Sequence, residues 1–77
     1  MVAHQALYEQ VAVVLAMKCE DFALQQTYVT KEALWAFCIT HIWQNERLEQ
    51  LSMHEVVADL FSLTVARYWA LHSAESS

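Results

Sequence analysis

Not one of the 77 residues is glycine or proline. Glycine gives a chain positive φ at little cost, and proline presets the bends of tight turns. A chain with neither has few ways to fold strands back on one another, which predicts an all-helical architecture. The apolar spacing agrees, recurring every three or four residues in three segments. The first, about 3–24, carries Tyr8, Val11, Ala12, Leu15, Cys19 and Phe22 on one face. The second, about 31–44, carries Leu34, Trp35, Cys38, Ile39, Ile42 and Trp43. The third, about 53–72, carries Met53, Val56, Val57, Leu60, Phe61, Thr64, Tyr68 and Leu71, with 73–77 expected as a frayed tail. Thr30 and Ser52 stand where caps belong, and Ser52 with Glu55 three residues on forms a capping box. The expectation is a single domain, a small bundle of three helices with short connections. Its core is expected to hold Leu15, Phe22, Leu34, Trp35, Ile42, Val56, Leu60 and Tyr68.

Composition adds a second constraint. A domain of this length buries only about 60% of the surface its unfolded chain exposes, yet 57% of its residues are hydrophobic and 17% charged. Such a surplus predicts a homo-oligomer, most simply a two-fold dimer. Leu63, Val65 and Trp69 lie off the main stripe of the third segment, so helices two and three are the expected interface. No apolar run approaches the roughly 18 residues of a membrane span, and the N-terminus has no basic region or cleavage site of a secretory signal. A cytoplasmic protein is expected. Cys19 and Cys38 are unclustered and read as small buried hydrophobes.

Constellations with chemical potential are few. Cys38 and His41, three apart on one helix, make half a zinc site, and no second half accompanies them. Glu55 and Asp59 share a helix face, but both fall in the first two turns, where the helix dipole favours negative charge. His4, His41, His54 and His72 are scattered, with no nucleophile in a strained turn and no glycine loop for phosphate. The expectation is a non-enzymatic protein without metal or cofactor. Nucleic-acid binding is disfavoured by charge: four basic residues face nine acidic ones, for a formal net charge of −5. Trp35, Trp43, Trp69 and Arg47 remain as candidate contacts for RNA or a partner, although the spacing of Trp35 and Trp43 on an apolar helix suits packing better.

Two segments carry a family resemblance. One is Val29-Thr30-Lys31-Glu32-Ala33-Leu34-Trp35-Ala36-Phe37, followed downstream by Trp43. The other is His54-Glu55-Val56-Val57-Ala58-Asp59-Leu60-Phe61-Ser62-Leu63, ahead of Tyr68. Together, and more weakly with Lys18, Glu20 and Phe22, they resemble the small ComN-type post-transcriptional regulators of Gram-positive bacteria. Leu34, Trp35, Phe37, His54, Glu55, Asp59, Ser62 and Leu63 are the matching motif positions. The resemblance implies a regulator of the late-competence-operon type that acts after transcription on an mRNA leader. The sequence departs from the family in two places: Thr27 stands where a glycine is common, and the linker from Gln44 to Gln50 holds one positive and two negative charges where the family tends to be basic. RNA contact is therefore expected to be weak or indirect. The alternative is a helical adaptor that binds a coiled-coil scaffold protein at the cell pole or septum through its apolar surface.

Overall fold

A computed structural model of the chain describes residues 4–43 and 50–76, and every regular element among them is helical. Among the described residues the expected three helices are five. Helix α1 covers Gln5–Gln10, α2 Ala12–Leu24, α3 Lys31–Cys38, α4 Met53–Ser62 and α5 Val65–Ser76, with a π-helical turn at Ile39–Trp43 extending α3. None of them is long and apolar enough to cross a membrane.

The expected first helix bends at Val11, whose φ of −104° and ψ of 10° leave helical geometry. Its hydrogen bonds continue through the bend, from Val11 N–H to the Leu7 carbonyl and from Leu15 N–H to the Val11 carbonyl, so the chain turns without fraying. The expected third helix breaks outright. Leu63 is extended at φ −70° and ψ 128°, and the backbone groups that the break frees find new partners. Thr64 Oγ1 accepts from the Arg67 N–H at 3.1 Å and so caps α5, while Lys18 Nζ donates to the Phe61 carbonyl at 3.0 Å from across the fold. The extended residue turns Leu63 into the core, where a continuous helix would have left it off the stripe. Helix α5 then runs to Ser76, beyond the point where fraying was expected.

The two expected caps are made. Thr30 Oγ1 accepts from the Ala33 N–H at 3.0 Å, and Ser52 Oγ accepts from the Glu55 N–H at 3.2 Å. The end of α2 is a Schellman turn: Gln26 N–H reaches the Ala23 carbonyl and Thr27 N–H the Phe22 carbonyl. The left-handed position of that turn is Gln26, with φ 61°, where glycine is usual.

Burial confirms six of the eight expected core residues: Leu15, Phe22, Leu34, Trp35, Val56 and Leu60. Ile42 and Tyr68 are half-buried against that core. Val11, Trp43, Cys38, Phe37, Ile39, Tyr8 and Leu63 complete it. The surplus apolar surface lies only in part where expected. Leu63 is interior and Val65 packs against the core, Trp69 stays exposed as expected, and Val13, Met17 and Leu24 of α2, Tyr28 and Phe61 are exposed as well.

Candidate functional site

Two of the family-type segments meet through Trp43 and Asp59. In an unbroken α-helix, residues eight apart diverge by about 80° around the axis. The π-helical turn winds more loosely than that and brings Trp43 back over Trp35, their rings edge to face with centroids 5.4 Å apart. Both indoles are interior, with Trp35 1% and Trp43 2% exposed. A buried indole N–H needs an acceptor, and Trp43 Nε1 donates to Asp59 Oδ2 at 2.9 Å. Asp59 in turn offers its carbonyl to Ser62 Oγ at 2.9 Å, beside the break before α5. The Trp43–Asp59 hydrogen bond thus ties α3, through its π-helical extension, to α4, while Leu34, Trp35 and Leu63 lie in the same buried core.

The remaining expected residues are placed apart from it. His54 and Glu55 are exposed at the start of α4, with the Glu55 amide in the Ser52 cap. Trp69 is half-exposed, but its indole Nε1 donates to the buried Thr27 Oγ1 at 3.2 Å, fastening α5 to the α2–α3 turn. Arg47 and the linker carboxylates Glu46 and Glu49 lie outside the described residues. A similar strut joins Tyr8 Oη to Glu32 Oε1 at 3.1 Å. Desolvation and the Glu32 hydrogen bond raise the Tyr8 pKa, while Glu32 is lowered by its own backbone hydrogen bond and by Tyr8. Burial, with a smaller push from the Asp59 charge, drives the Cys38 thiol up to about 12. Cys38 is therefore a core residue without thiolate character at neutral pH.

The surface that gathers polarisable groups is a groove between α3 and α5, with a volume of about 280 Å³. Ala33 and Ala36 give it room; Phe37, Thr40, His41, Tyr68 and His72 line it. Phe37 packs on Tyr68 at 4.6 Å and on His41 at 4.7 Å. The His72 ring lies parallel to Tyr68, 5° between planes and 5.8 Å between centroids. Sequence reasoning singled out Phe37 for its motif and missed the groove. Its signal was the repeat of aromatic and imidazole residues four apart on each helix: Phe37 with His41, and Tyr68 with His72. No residue lining it carries a carboxylate, on a chain where acidic residues outnumber basic ones nine to four. Among the described residues, no group of three or more His, Cys, Asp or Glu is arranged to hold a metal ion.

No curated protein and no solved structure matches the chain. A family described as post-transcriptional regulator matches residues 4–77, nearly the whole sequence and both segments joined by Trp43 and Asp59. The chain belongs to that family of post-transcriptional regulators, in agreement with its resemblance to the ComN-type proteins.

Proposed function

We propose that this chain regulates a target operon of the late-competence type through a weak, aromatic-dominated contact with the mRNA leader that a partner protein reinforces. The observation that carries this reading is the groove in which the partly exposed His41, Tyr68 and His72 surround the buried Phe37, an aromatic lining without carboxylates on an acidic protein. Phosphate contacts supply most sequence-independent RNA affinity, and they need clustered cations. Lys18 is engaged with the Phe61 carbonyl, and Lys31 and Arg67 stand on different helices. Stacking must do most of the work. It is worth about 1–3 kcal/mol per base, so two stacked bases supply about 2–6 kcal/mol, short of the roughly 8 kcal/mol of a micromolar complex. A partner accounts for the difference.

The test is a crosslinked pull-down from cells, with RNA sequenced and proteins identified from one sample, alongside binding of the purified chain to the recovered leader at two salt concentrations. The reading expects a defined transcript together with a partner, and binding by the purified chain alone that is weaker than micromolar. Changing Glu46 and Glu49 to Lys should create binding that is salt-sensitive and indifferent to sequence. Tight, selective binding by the native chain alone would overturn the need for a partner. Recovery of a scaffold protein with no transcript would replace the regulator's RNA contact with the adaptor reading.

A further inference from the structure

Helix α5 is held to the fold differently from the other four. Helices α1 to α4 each bury at least one side chain, whereas no residue of α5 from Val65 to Ser73 is buried. It leans on the core through a narrow stripe of Val65, Tyr68 and Leu71, all partly exposed. The Tyr68 ring lies 5.6 Å from Phe22 and 4.6 Å from Phe37, and Trp69 Nε1 adds its 3.2 Å hydrogen bond to Thr27. The chain before α5 is closed off without it. At the end of α4, Leu63 N–H donates to the Leu60 carbonyl, Ser62 Oγ to the Asp59 carbonyl and Lys18 Nζ to the Phe61 carbonyl. Leu63, 2% exposed, anchors that end in the core. The exposed Thr64 that follows bonds forward into α5, accepting from Arg67 N–H at Oγ1 and from Tyr68 N–H at its carbonyl.

We propose that α5 is a latch, a helix that undocks and unfolds as one unit about Thr64 while α1 to α4 keep their structure, and that only its docked state carries the groove. An isolated helix shorter than about 12–15 residues is marginal in water. Helix α5 has 12 residues, so it does not outlast the loss of its docking stripe, and its amides open together. Undocking removes Tyr68 and His72 from the groove and uncovers Phe22 and Phe37, which are 0% and 8% exposed in the docked state. That apolar exposure opposes opening and keeps the docked state the major one. The latch follows from how α5 is held and stands whichever ligand the groove takes. A ligand that touches Tyr68 or His72 binds the docked state and shifts the balance towards it.

Native-state hydrogen exchange of the full ¹⁵N-labelled chain, read amide by amide, tests this. The amides from Tyr68 to Ser73 should share one opening equilibrium, at least about tenfold more favourable than that of the slowest amides of α2, α3 and α4. Two variants separate undocking from global unfolding. Ser52→Ala weakens α4, which stays folded when the latch opens. It should speed the slowest amides about fivefold and leave α5 unchanged. Trp69→Phe keeps an aromatic ring and removes the bond to Thr27, so it should speed exchange throughout α5 roughly two- to tenfold. Exchange in α5 as slow as in α2 to α4, or accelerated equally by Ser52→Ala, would overturn the proposal, because α5 would then open only with the whole domain. Protection that falls steadily from Tyr68 to Ser73 would overturn it as end fraying. So would α5 exchange that Trp69→Phe leaves unchanged, since an opening that keeps that contact is not undocking.

Discussion

Replacing Asp59 with Ala leaves the Trp43 indole N–H without its acceptor at a site 2% exposed. An orphaned buried donor costs about 1–3 kcal/mol, and a hydrogen bond to a charged acceptor is worth about 1.5–3 kcal/mol net. Asp59 is only half-buried, so water compensates part of the carboxylate's side and the lower part of that range applies, about 1.5–2 kcal/mol. A domain of this size has about 4–12 kcal/mol in total, so the loss is large. At roughly 4–8 °C per kcal/mol it lowers the thermal midpoint by about 6–16 °C. Trp43→Phe removes the same hydrogen bond and also leaves a void beside Trp35, so it should cost more. The double-mutant cycle isolates the shared bond. Urea unfolding followed by circular dichroism, which does not depend on the altered indole, should give a coupling energy of about 1.5–2 kcal/mol. Additivity within about 0.5 kcal/mol would refute the claim that this bond ties α3 to α4.

Loss of a cap should be measurable at three places: Thr30→Ala, Ser52→Ala and Thr64→Ala should each cost about 1 kcal/mol in urea unfolding. No effect from Thr64→Ala would argue for a continuous helix through Leu63. Gln26→Gly should stabilise the fold by about 1 kcal/mol, because the left-handed backbone at that position is strained for any residue with a Cβ; a destabilised variant would contradict the Schellman turn. Cys38 gives a pH signature. Its folded pKa of about 12 lies above the ordinary 9.0, so above pH 9 the unfolded chain loses a proton that the folded chain keeps. The associated stability is fully present below pH 9 and falls by at most about 1.4 kcal/mol per pH unit towards pH 12. Cys38→Ala should remove that part of the alkaline slope. Identical slopes in the two proteins would mean that the thiol is not desolvated.

Helix positions and core membership were legible because apolar periodicity and hydroxyl caps are local signals: Thr30, Ser52, Leu34 and Val56 mark themselves. The divisions of the first and third helices were not. Val11 sits on the core stripe of a straight helix, so its spacing conceals the bend. Thr64 also lies on the expected stripe, and its role as a cap shows only when Leu63 is seen to turn inward. Gln26 hid the end of α2, since the residue that normally announces a left-handed turn is glycine. Of the candidate site, the motif residues were visible while their division of labour was not. Trp43 reaches Asp59 only because the π-helical turn rotates it, and no side-chain pattern announces that turn. The groove needed the placement of α5 against α3, a tertiary fact that the four-residue spacing of Phe37 with His41 and Tyr68 with His72 only hinted at.

The measurement that most directly tests the regulator reading is an NMR titration of the uniformly ¹⁵N-labelled native chain with the unpaired leader RNA recovered by crosslinking, at low and at high salt. The account predicts weak, fast-exchange shifts centred on Phe37, His41, Tyr68 and His72, little altered by salt, with the indole N–H signals of Trp35 and Trp43 unmoved. Strong saturation, with shifts centred on Lys31, Arg67 or the linker that vanish as salt rises, would contradict it. That pattern would show phosphate-led recognition and remove the aromatic groove from the mechanism.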